Sequence, residues 1–227
     1  MSVLAEVDPA VAYPETVPEM AESGLHWQVR IQTYIALRDH FAGHPDCFVC
    51  SERNLYYRPQ PNTAFVVPDL FVSFGVDPGA LELDFSYRLW DAGAPPAFVL
   101  EIASEKTHNS DLNVKPAVYL EVGVGEYWRL DPTGGDYYTP ALQGDRRAGD
   151  AWAPIAVDRD GDGRLRGHSA VLGLDLHAEP HRLRLRDPQT GLWLPDHDET
   201  RRQRDATEAE VAALRARLND QTGDTAQ

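Results

Sequence analysis

The run Pro96-Ala97-Phe98-Val99-Leu100-Glu101-Ile102-Ala103 constrains this chain most, because an unbroken apolar stretch encloses a single carboxylate. Apolar residues without polar alternation mark a strand covered on both faces. A carboxylate inside such a strand is costly unless a cation or hydrogen-bond donors compensate it. A second apolar stretch, 65–74, carries Asp69 directly after Pro68. Proline inside a strand predicts an edge or a bulge, which re-aims the neighbouring side chain. Two acids in neighbouring strands, followed by a helix bearing Lys115, predict a site for a hard metal ion.

Composition bounds the rest. At 227 residues and 25.3 kDa, one domain with appendages is expected. No long apolar run and no basic-then-apolar leader is present, so neither a membrane span nor a signal peptide is expected. Cys47 and Cys50 are the two cysteines, which gives no disulfide framework and predicts a reducing, cytoplasmic setting. The 21 basic and 36 acidic residues leave a net charge of −15. That balance argues against a general nucleic-acid binder, while it suits a cleft that recruits cations. Lys106 and Lys115 are the two lysines among those 21 basic residues, and lysine differs from arginine in being a compact point charge.

In chain order, residues 1–20 read as an irregular arm, rich in proline and acids. A helix is predicted over 25–41, where Val29, Tyr34, Leu37 and Phe41 follow helical spacing. Glu22 precedes it, where the unpaired N–H groups of a helix start favour an acid. In Cys47-Phe48-Val49-Cys50 a strand would turn the two thiols to opposite faces, so the pair reads as structural. Residues 75–95 read as a Gly-, Pro- and Asp-rich connection and 104–113 as a polar one. The Lys115 helix is predicted to start with Asn113 as N-cap, since Pro116 is tolerated in a first turn, and to end near Val122. A strand follows from Glu126 to Pro132, with further β segments at 136–142, 151–157, 165–166 and 171–177.

Two later features imitate binding sites. Asp158-Arg159-Asp160-Gly161-Asp162-Gly163 resembles the start of a calcium loop, but Ser169 stands where the bidentate glutamate belongs, so a hairpin turn is expected. Arg182, Arg184 and Arg186 alternate with Leu183 and Leu185, as on an edge strand protected by charge. Over 207–218, Val211, Leu214 and Leu218 form a narrow seam, which predicts a helix that docks or pairs, giving a homodimer. Residues 219–227 carry a disorder-prone composition.

The order of these elements resembles the PD-(D/E)xK nuclease superfamily, and most closely its restriction-endonuclease family Uma. The matching residues are Met20-Ala21-Glu22-Ser23 before His26, then Val67-Pro68-Asp69-Leu70-Phe71-Val72 and Phe98-Val99-Leu100-Glu101-Ile102. Asp111, Lys115 and Tyr119 follow at spacings of four, then Gly123-Val124, Glu126-Tyr127-Trp128 and Asp131-Pro132. Gly163-Arg164-Leu165 and Val171-Leu172-Gly173-Leu174 complete the match.

The resemblance implies an α/β (α+β) fold over 21–199. It has a restriction-endonuclease-like core, a central mixed β-sheet flanked by helices, extra C-terminal β segments, and a terminal helix with tail over 200–227. It also implies a Mg²⁺-dependent DNA endonuclease, with Mn²⁺ as a substitute. Asp69 and Glu101 would hold the metal, helped by the backbone carbonyl of Ile102. Lys115 would assist the attacking water, standing in for the lysine that the superfamily often carries where Ala103 lies here. Glu22 matches an acid supplied from the first helix. The other class consistent with these residues is an inactive nuclease-fold module for DNA binding or protein interaction. An open cleft shared by the four side chains would favour the enzyme, and a closed Glu101–Lys115 ion pair the module.

Overall fold

A computed structural model describes residues 24–59 and 65–196, together with 202, 206–208 and 211. The 1–20 arm, Glu22 and the 219–227 tail therefore lie outside the described residues. The chain divides into two units, 1–194 and 195–227. In the second, 202, 206–208 and 211 are helical; Val211 is exposed, while Leu214 and Leu218 of the expected seam fall outside the described residues.

Among the described residues of the first unit, the first element is helix α1 (Gly24–His40), within a residue of its predicted span. The next elements are β1 (Cys47–Ser51), β2 (Asn54–Tyr56), β3 (Phe65–Val66), β4 (Leu70–Phe74), α2 (Pro78–Glu82), β5 (Ser86–Arg88), α3 (Leu89–Ala92) and β6 (Phe98–Ile102). Helices α4 (His108–Asn113) and α5 (Lys115–Val122) lead to β7 (Glu126–Leu130). The unit closes with β8 (Leu142–Ala148), β9 (Ala151–Pro154), β10 (Val157–Arg159), β11 (Leu165–Ser169), β12 (Leu174–Glu179) and β13 (Arg182–Arg186).

A six-stranded mixed sheet runs β1-β4-β6-β7-β8-β9. Its β6–β7 pair is parallel, and the other neighbours are antiparallel. Parallel neighbours need a crossover connection, and here α4 and α5 are that crossover. The pairing thus carries Lys115 back across the face of β6. Its two faces bury separate clusters. Leu70, Val72, Leu100, Ile102 and Trp128 pack with Val29 and Leu37 of α1 and with Leu174, Leu176, Leu183 and Leu185 of a second sheet, β10-β11-β12-β13. Phe71, Val99 and Tyr127 pack on the other side with Tyr119 and Val122 of α5, and with Leu55 and Tyr87 of a small sheet, β3-β2-β5. Burial on both faces explains why these strands read as continuous apolar runs.

Several predicted boundaries are corrected. The 65–74 stretch is two strands in different sheets, broken at 67–69, and β4 is interior, between β1 and β6. Pro68 therefore marks a break, where its missing N–H costs no ladder bond, instead of an edge or bulge. The expected strand around Cys47 breaks likewise, at Glu52 with φ 48°. Cys47 and Cys50 do face opposite clusters, and burial pushes both thiols up to about 11. The 75–95 connection contains two short helices and a strand. The polar 104–113 segment is mostly helical, and Val114, not Asn113, occupies the N-cap of α5. No strand covers 136–141, because Asp131 accepts hydrogen bonds from the N–H groups of Thr133, Tyr137 and Tyr138 and folds that loop on itself.

The two imitation sites resolve as expected. Asp160 Oδ1 accepts from the N–H groups of Asp162 and Arg164, closing the β10–β11 hairpin. Strand β13 lies at the end of its sheet with Leu183 and Leu185 buried. Among the described residues no helix is long and apolar enough to cross a membrane.

Candidate active site

Asp69 lies in the bend just before β4. Its carbonyl accepts from Ser51 Oγ at 2.9 Å and from Glu52 N at 3.3 Å, which fixes the backbone there. The antiparallel β4–β6 register pairs Leu70 with Leu100, so one step further Asp69 stands opposite Glu101. Ladder pairing ends here and side chains take over. Ile102 N donates to Asp69 Oδ2 at 2.7 Å, and Asp69 N donates to Glu101 Oε2 at 3.3 Å. His26, buried on α1, places Nε2 3.1 Å from Asp69 Oδ2. Asp69 Oδ1 takes no hydrogen bond from a described residue.

Glu101 shares its face of β6 with Val99, two residues away, and so points toward α5. It is completely buried. Its Oε1 accepts from the Tyr119 hydroxyl, and its Oε2 lies 2.8 Å from Lys115 Nζ. The same ammonium lies 2.8 Å from Asp111 Oδ1, another completely buried acid. The two contacts are equally close, so the ammonium is shared between two buried carboxylates. Asp111 Oδ2 accepts from the Tyr138 hydroxyl at 2.9 Å, and its backbone carbonyl from the Tyr127 hydroxyl at 2.8 Å. Pro116 sits in the first turn of α5, where proline is tolerated, and its carbonyl accepts from Trp152 Nε1 at 2.9 Å.

Charge follows from this packing. Burial pushes the Glu101 carboxyl well above its ordinary value, opposed by Lys115 and reinforced by Asp69 and Asp111. Burial acts the same way on Asp69, but the hydrogen bond and charge of His26, the charge of Lys115 and the Ile102 N–H together hold Asp69 below the usual aspartate value. Burial would lower Lys115, yet Glu101, Asp111 and Asp69 raise it above the usual lysine value. Lys115 is therefore an ammonium at neutral pH. It can donate hydrogen bonds or offset negative charge; it cannot accept a proton.

The structure thus brings Asp69, Glu101, Ile102 and Lys115 to one end of β4 and β6, while Glu22 lies outside the described residues. Solvent reaches the cluster at Asp69 and Lys115, whose side chains are 15% and 14% exposed. The Glu101–Lys115 contact is closed. A cavity of about 710 Å³ lies between α1, β1 and α2, and neither acid lines it. Among the described residues no three His, Cys, Asp or Glu side chains gather as a metal-binding group. The donor chemistry nonetheless fits Mg²⁺, which takes one or two carboxylates and completes its shell with water and phosphate. Asp69 Oδ1 and Glu101 Oε2 are hard oxygens. In an extended strand the N–H and C=O of one residue point to the same side, so the Ile102 carbonyl faces Asp69 as its N–H does.

Three participants lie beyond the expected set. Asp111 and Tyr119 stand four residues either side of Lys115, a helical spacing that puts them on one face. That signal was available, although α4 and α5 meet between Asp111 and Lys115. His26 carries no local sign, because its partner is 43 residues away.

The sequence matches the Uma2 family, described as "Putative restriction endonuclease", over residues 7–179. Among solved structures, that of a "putative nuclease belonging to DUF820 from Anabaena variabilis ATCC 29413" aligns at 12% identity with a TM-score of 0.44. The alignment covers 64% of this chain and 77% of that one. No curated protein matches the chain.

Proposed function

Since this chain belongs to the Uma2 family, we propose that it hydrolyses DNA phosphodiester bonds with Mg²⁺, or Mn²⁺ in its place, held by Asp69 and Glu101. The observation that carries this reading is the convergence of Asp69, Glu101 and the Lys115 ammonium from three separate elements. Bound there, Mg²⁺ would lower the pKa of a water molecule and offset charge on the phosphoryl oxygens.

The remaining work falls to the chain. Asp69, ionised and exposed at one edge, offers Oδ1, while His26 and the Ile102 N–H hold its other oxygen still. Glu101 offers Oε2, with Tyr119 fixing Oε1, and the Ile102 carbonyl supplies a further oxygen. Lys115 donates to the attacking water or to the oxygens that gain charge in the transition state. Glu22 is assigned the positioning of water. Without a divalent ion, Lys115 is the cation that compensates Glu101 and Asp111.

A second reading rests on that same closed pair. A completely buried Glu101 already matched by Lys115 needs no metal, so the fold would serve as a non-hydrolytic module for DNA binding or protein interaction. Plasmid nicking in Mg²⁺ separates the two, with wild type compared to Asp69→Asn and Lys115→Met. Nicking by wild type, reduced at least a hundredfold in both variants, supports the enzyme. Equal traces of nicking in all three proteins would leave the module.

A further inference from the structure

We propose that Asp111 is the positioning residue that keeps Lys115 in the site when Glu101 turns to a divalent cation; this rests on the metal-dependent reading above. A divalent cation on Glu101 Oε2 repels the ammonium beside it and takes over the compensation of that carboxylate, so the hold of Glu101 on Lys115 loosens when metal enters. Asp111 Oδ1 stands 2.8 Å from Nζ, as close as Glu101 Oε2 does, and accepts from no other donor among the described residues. It is a second anchor that already holds the ammonium and has no other donor to serve.

Its surroundings fit that task. Asp111 is completely buried, and its partners hold it from two sides: Tyr138 OH on Oδ2 and Tyr127 OH on the backbone carbonyl. Tyr138 is in turn fixed by Asp131, which accepts from its N–H at 3.0 Å. The carboxylate is therefore rigid at the moment its neighbour changes partners. A rigid second anchor retains the lysine within reach of the reacting phosphate, where a flexible side chain would otherwise swing to solvent.

The test uses the scarcity of lysine. Lys106 and Lys115 are the two lysines of the chain, so lysine-selective ¹⁵N and ¹³C labelling of the full chain gives two side-chain signals to assign. An anchored ammonium exchanges its protons slowly enough to be seen, and one released to water does not. Spectra are recorded with and without Mg²⁺ for wild type, Asp111→Asn and Asp111→Glu, with thermal melts to check folding. The Lys115 signal is expected to shift but persist with Mg²⁺ in wild type, to vanish with Mg²⁺ in Asp111→Asn, and to be restored in Asp111→Glu. A wild-type spectrum that responds to Mg²⁺, with Asp111→Asn retaining its signal as wild type does, overturns the anchor alone. A Lys115 signal lost from wild type on adding Mg²⁺ also overturns it. No response of wild type to millimolar Mg²⁺ overturns the metal-dependent reading, and the anchor with it.

Discussion

At the scale of single residues, burial makes the acids informative. Glu101 was legible because an acid in a doubly covered strand needs a partner, and Lys115 because one of two lysines follows in the crossover helix. Asp69 was less so, since Pro-Asp is a common turn pair and its partners His26 and Ile102 are distant in sequence. Removing Lys115 leaves Glu101 and Asp111 buried without their shared cation, and breaking a buried pair in this way costs about 3–5 kcal/mol. Lys115→Ala should lower stability by that order in urea unfolding, with Lys106→Ala nearly neutral. The pH dependence has a definite sign. Glu101 binds its proton more tightly in the fold than the ordinary value of 4.5 allows. Its contribution is therefore fully present below that pH and is lost as pH rises toward the raised value. Asp69, held low, contributes in the opposite sense: its stabilisation is present above the ordinary 3.8 and is lost as pH falls below it. Melting temperatures of Glu101→Gln should lack the decline above pH 4.5 that wild type shows.

At the scale of elements, strand β6 was legible from its apolar run, and α1 and α5 from spacing and the placement of Pro116. Breaks were not, because they depend on which sheet a segment joins. Residues 47–57 and 65–74 each look continuous, yet each donates one half to the central sheet and one half to the small one. Glu126 was read only as part of a strand, although it ties that strand to the second sheet. Its Oε2 accepts from Ser169 Oγ and Trp128 Nε1, and its Oε1 from the N–H groups of Ala170 and Val171. The glycines inside β8 and β11 have a physical cause that sequence alone conceals. A Cβ at Gly144 would lie 2.8 Å from the Trp128 ring, and one at Gly167 would lie 2.6 Å from it. Trp128 is completely buried and cannot step aside. Overpacking of this kind costs about 1–3 kcal/mol, so Gly144→Ala and Gly167→Ala should each lower the urea midpoint. A midpoint equal to wild type would show that the ring moves more freely than its packing implies.

At the scale of the whole molecule, the resemblance was carried by order: acid before β4, acid in β6, lysine in the crossover, then β7. The crossover is what makes that order a site, because parallel β6 and β7 require a connection over the sheet face. Net charge acts at this scale too. With −15 on the chain, long-range repulsion opposes DNA, and divalent cations should offset it at the acidic centre. Fluorescence anisotropy with a short duplex should therefore show markedly tighter binding in Ca²⁺ than in EDTA, and the gain should disappear in Asp69→Asn. Identical affinities in the two buffers would separate DNA binding from the acids. Whether Asp69 and Glu101 form a divalent-cation site beside Lys115 is read by calorimetric titration of Mg²⁺ and Mn²⁺ into wild type and Glu101→Ala. Both ions should bind wild type saturably, and neither should bind a folded Glu101→Ala. Wild type that takes up neither ion at millimolar concentration would contradict such a site and leave the acids and Lys115 as a structural ion cluster.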